Sequence, residues 1–63
     1  MGPMRVDVQD KNGDWNFASY AYSTENLAEL MWVIFQDSKI RVYEHGILQL
    51  EKEGKEITDY RIQ

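Results

Sequence analysis

One stretch of this chain, from about Thr24 to Gln36, repeats its apolar residues with a helical period, while the segments on both sides of it alternate. A chain with a single amphipathic helix has to cover that helix with a sheet, so the fold class is constrained before any motif is considered. At about 100° per residue, Leu27, Leu30, Met31 and Ile34 form an inward stripe, with Ala28 and Phe35 widening one flank. Trp32 and Val33 fall outside that stripe, beside Glu25, Glu29 and Gln36. Ser23 suits an N-cap, and Glu25 sits in the first turn, where the helix dipole favours an anion.

Before the helix, Met4 to Gln9 alternates, with Met4, Val6 and Val8 on one face and Arg5, Asp7 and Gln9 on the other. Asn12-Gly13 is a hairpin signal that predicts a type I′ turn and an antiparallel second strand, Trp15 to Tyr22. In that strand neither face is plainly polar. A bulge near Ala18-Ser19 would switch the aromatic side; otherwise the strand is covered on both faces, or Tyr20 and Tyr22 are displayed. After the helix, Lys39 to Glu44 alternates with Ile40 and Val42 inward, and His45-Gly46 predicts a turn or bulge. Ile47 to Lys52 reads as a fourth strand through Leu48 and Leu50, Glu53-Gly54-Lys55 as a turn, and Glu56 to Ile62 as a closing strand.

The expected architecture is α+β: a small antiparallel or mixed sheet of four to five strands with one helix on one face, in ββαββ or ββαβββ order. In element order alone it resembles the β-grasp or immunoglobulin-binding-domain arrangement. Residues 4–63 make one domain, and Met1-Gly2-Pro3 reads as a cloning remnant or a disordered start. With one sheet face under the helix, the other is open, and Arg41, Tyr43, Tyr20 and Tyr22 are expected there.

At 63 residues the chain is near the lower limit for a self-sufficient core, and without cysteine neither disulfides nor thiolate metal sites can compensate. Tight packing or oligomerisation remains, and a reducing cytoplasm is the default setting. The longest apolar run, Leu30 to Phe35, falls far short of the roughly 20 residues a membrane helix needs, so no membrane association is expected. A net charge of −4 disfavours contact with a phosphate backbone, so nucleic acid is not an expected partner, and a basic protein is a better match.

Catalytic groups are scarce. One histidine and no cysteine leave no nucleophile–base pairing and no histidine metal pair, and His45 reads as a turn residue. Glu51, Glu53 and Glu56 interleave with Lys52 and Lys55, as a solvated hairpin does, and no glycine-rich loop leads from strand to helix. No catalytic residue, cofactor or metal is expected. The expected function is therefore binding: a non-enzymatic, acidic protein-interaction domain. It would modulate or inhibit a larger protein, in the manner of small phage or mobile-element products, and would itself form a homodimer. Its candidate partner-binding residues are Trp32, Val33 and Phe35 on the helix, and Tyr20, Tyr22, Arg41 and Tyr43 on the sheet. The alternatives are a constitutive regulatory or assembly subunit and an acidic mimic of nucleic acid that binds a basic DNA-binding protein.

Overall fold

The computed structural model describes residues 3–57. Four strands, β1 Met4–Gln9, β2 Trp15–Ala21, β3 Lys39–Glu44 and β4 Ile47–Glu53, form one sheet in the order β2-β1-β3-β4, and every pairing is antiparallel. Because β2 and β3 both run against β1, they run parallel to each other, two strand positions or about 10 Å apart. Parallel strands cannot be joined by a tight turn, so the chain between them crosses over one face of the sheet. That crossover is helical, α1 at Thr24–Leu30 running directly into a π turn at Met31–Phe35, and the fold is α+β.

The helix starts as the sequence predicts. Ser23 is the N-cap, its Oγ accepting from the Asn26 N–H at 3.0 Å, while the Asn26 Oδ1 accepts from the Tyr22 N–H. Leu27 and Met31 are buried in one cluster with Val6, Ala21, Ile40 and Val42, with Met4, Val8, Leu30, Phe35 and Leu50 packed around it, and Ala28 is buried as well.

Ile34 corrects the inward stripe: it is 60% exposed. In a π turn the hydrogen bond runs from i to i+5, so each residue advances by less than the roughly 100° of an α-helix. Ile34 therefore lags behind the inward direction, and Phe35, four residues on from Met31, swings over the core in its place.

The first hairpin differs from a type I′ turn. Gly13 has φ of 87° but Asn12 does not share a positive φ, and the Gly13 N–H donates to the Asp10 carbonyl at 3.1 Å. This is a type I turn followed by a left-handed glycine. Asp10 selects it: its carboxylate accepts from the N–H groups of Asn12 and Asp14 and from the Asn16 side-chain amide, each at 2.9 Å. The second hairpin is the one with type I′ signs, with φ of 55° at His45 and 76° at Gly46.

Two bulges decide which side chains reach the core. In β2 the register moves from Val6 opposite Ser19 to Asp7 opposite Phe17, leaving Ala18 extra. Trp15, Phe17 and Tyr20 thereby share the face of Gln9, Asp7 and Arg5, away from the helix, and Ala21 enters the core. In β4 the register moves from Val42 opposite Leu50 to Tyr43 opposite Leu48. Leu50 packs on the core, whereas Leu48, expected beside it, is turned to the open face.

The closing strand expected from Glu56 does not start there, because residues 54–57 are helical. The Gly54 N–H donates to the Ser38 carbonyl at 2.9 Å and the Lys55 N–H to the Gln36 carbonyl at 2.8 Å, which draws the backbone to the end of the π turn. Ile57 is buried in the core from these helical residues. The rest of the expected strand, with Thr58, Tyr60 and Ile62, lies outside the described residues.

Candidate interaction surfaces

Two layers leave two surfaces uncovered, the outer side of the helical layer and the open face of the sheet. On the first, Trp32, Val33 and Ile34 are 53%, 68% and 60% exposed, three consecutive large apolar side chains on the π turn. Trp32 and Val33 stand off the inward stripe as their spacing predicts, and Ile34 joins them. Phe35 does not, being half-buried against the core. Ser38 closes the turn by donating from its N–H to the Phe35 carbonyl at 3.0 Å, and Gly54 packs directly beneath that same carbonyl. Both contacts fasten the C-terminal end of the patch to the sheet.

The open face carries rows that follow from register. Tyr20, Arg5, Tyr43 and Leu48 line up across the four strands, and Phe17, Asp7, Arg41 and Glu51 form the next row. The Arg41 guanidinium lies 4.0 Å from the centre of the Trp15 ring and donates from Nε to Glu51 Oε1 at 2.6 Å. Lys39 Nζ approaches the other Glu51 oxygen at 3.4 Å. The hydrogen bond from Arg41, with Lys39 beside it, holds the Glu51 carboxyl below the usual carboxylate range, and Glu51 in turn raises Arg41. Arg5 donates to Asp7 at 2.9 Å and sits over Phe17, which meets Tyr20 at a ring separation of 5.0 Å. Arg5, Lys39 and Arg41, the cations of this face, are thus already matched by neighbouring carboxylates.

Sequence reasoning placed Tyr20, Arg41 and Tyr43 on this face, and they are there. Of the readings posed for this strand, the bulge near Ala18-Ser19 is the one found, at Ala18, and it brings Trp15 and Phe17 to the same side as Tyr20. Tyr22 stands apart, highly exposed beyond the end of β2 next to the helix cap. The residues assigned to binding therefore form two separate groups on opposite layers. A shallow basin at one end of the open face is lined by Pro3, Arg5, Asp7, Tyr20, Tyr43 and His45.

Among the described residues, no group of His, Asp and Glu is arranged to hold a metal ion, and no helix is long and apolar enough to cross a membrane. Comparison of the chain with protein-family models, with curated proteins and with solved structures gave no match.

Proposed function

We propose that this chain is a non-enzymatic protein-interaction domain, a modulator or inhibitor of a larger protein, working through the exposed side of its helical layer. One observation carries the reading: Trp32, Val33 and Ile34 are consecutive, large and each more than half exposed, on a layer whose other side already fills the core. The exposed part of these side chains adds nothing to the chain's own fold. Tryptophan in particular is enriched where interfaces concentrate their energy.

Fully burying a side chain of this kind is worth about 1.5–3 kcal/mol. With somewhat more than half of each still exposed, covering all three supplies about 3–5 kcal/mol. Association costs at least about 4 kcal/mol in lost freedom. The three residues can therefore anchor a complex without sustaining one, and the partner has to engage their surroundings as well.

The test is Trp32→Glu, compared with the natural chain by circular dichroism, sedimentation and affinity capture. The expected result is an unchanged fold together with loss of a stoichiometric partner. If the variant unfolds, Trp32 belongs to the core; if capture is unchanged, the patch is not the interface.

A further inference from the structure

We infer, resting on that reading, that the patch of Trp32, Val33 and Ile34 docks on an apolar protein surface rimmed by lysine and arginine, and not on a second copy of this chain. The charge layout supports it. From residue 12 to residue 38 the chain has four acids, Asp14, Glu25, Glu29 and Asp37, and no lysine or arginine. Helical spacing sets Glu29 one turn before Trp32 and Val33, and Asp37 follows just past Gln36, the cap of the π turn. Glu25 extends the acidic rim by one more turn.

Among the described cations, Lys11 lies on the first hairpin, away from this rim. Arg5 is bound to Asp7, and Lys39 and Arg41 to Glu51, all on the opposite face of the sheet. Lys52, opposite the inward-facing Ile40, stands on the helical side of the sheet at the exposed edge strand β4 and is the one cation of the sheet on that side. Lys55 pairs with Glu53 at 3.2 Å and has Asp37 and Glu56 within electrostatic reach, so its charge is shared among these acids.

A symmetric pair built on this patch would bring Glu29 and Asp37 of each copy near the same residues of the other, and like charges facing each other across an interface are costly. A basic rim turns the same groups into attraction. It also supplies what the apolar patch lacks, faster encounter and contacts beyond the three central side chains.

The probes are two fluorescein-labelled amphipathic helical peptides of about 18 residues, one of leucine and lysine, the other of leucine and glutamate, titrated with the protein and read by anisotropy. The lysine peptide should bind, more weakly as salt rises, and the glutamate peptide should not. Trp32→Ala and Glu29→Lys should each weaken the lysine peptide by about tenfold or more. Asp14→Lys, the same charge change on the distant hairpin, should stay within about twofold. Circular dichroism confirms that each variant is folded.

Equal weakening by Asp14→Lys would overturn the inference, because only net charge would then be at work. Binding of both peptides, lost in Trp32→Ala, would overturn the charge assignment and leave the interaction patch standing. Failure of both peptides, with self-association that Trp32→Glu abolishes, would make a second copy the occupant. Failure of both with a strictly monomeric chain would remove the inference and the proposed function together.

Discussion

Replacing Gly54 by alanine sets two effects against each other. Gly54 has no positive φ and begins the helical residues 54–57, where alanine is intrinsically better by up to about 1 kcal/mol. Propensity alone predicts a more stable protein. A Cβ at this position would, however, lie 1.9 Å from the Phe35 carbonyl oxygen, 2.6 Å from its carbon and 3.0 Å from the Gln36 Cα, all of them backbone. No side chain can rotate out of the way, so the backbone must retreat by roughly 1 Å or more. That strains the bonds from Gly54 N–H to Ser38 and from Lys55 N–H to Gln36, each worth about 1 kcal/mol net. Overpacking adds about 1–3 kcal/mol. The steric side therefore totals about 3–5 kcal/mol, and after the propensity gain Gly54→Ala should destabilise by about 2–4 kcal/mol. A chain of 63 residues has only about 3–9 kcal/mol in total. Thermal unfolding followed by circular dichroism should show Tm lower by about 10 °C or more. A variant as stable as the parent, or more so, would refute the close packing of β4's end against the π turn.

Two further predictions concern the helical phase and acid stability. Met31→Ala should cost about 2–5 kcal/mol, because Met31 is fully buried, whereas Ile34→Ser should stay within about 1 kcal/mol; equal losses in urea unfolding would mean that Ile34 faces inward and the π turn is absent. The Asp14 N–H and then the Asn16 amide hold Asp10 below the usual carboxylate range, and Arg41 does the same for Glu51. A carboxyl lowered in the folded state contributes stability above its ordinary value and loses it as pH falls through its folded value. The urea midpoint should therefore drop between about pH 5 and pH 3, and Asp10→Asn with Glu51→Gln should flatten that drop. An unchanged slope in the double variant would show that neither carboxyl is coupled to folding.

Much of this fold could be read from alternation and capping. Met4 to Gln9 and Lys39 to Val42 alternate apolar with polar residues, and Ser23 marks the start of the helix where the structure has it. What escaped depends on backbone choices that leave weak traces in residue type. Asn12-Gly13 suits more than one turn, and three hydrogen bonds to Asp10 decided between them. The bulge at Ala18 could be posed from the mismatched aromatics, but only pairing with β1 shows that it gathers Trp15, Phe17 and Tyr20 on one face. Gly54 reads as a turn glycine, and its contact with Phe35 is invisible until β4 meets the helical layer.

The π turn explains both the partial success and the partial failure over the site. Six apolar residues in a row, Leu30 to Phe35, cannot all face one sheet at any helical period, so some were bound to be outside. An α-helix would send Ile34 inward and leave Trp32 and Val33 as a divided pair at the margin. The wider turn exchanges Ile34 for Phe35, a larger side chain, over the core, and it makes the excluded residues contiguous. Core packing accounts for the gain of Phe35. It does not account for a continuous apolar surface between two acidic residues, Glu29 and Asp37, which is unfavourable in water for a free monomer. That arrangement becomes favourable once a surface that is apolar at its centre and basic at its edge covers it, and π turns of this kind occur frequently at functional sites.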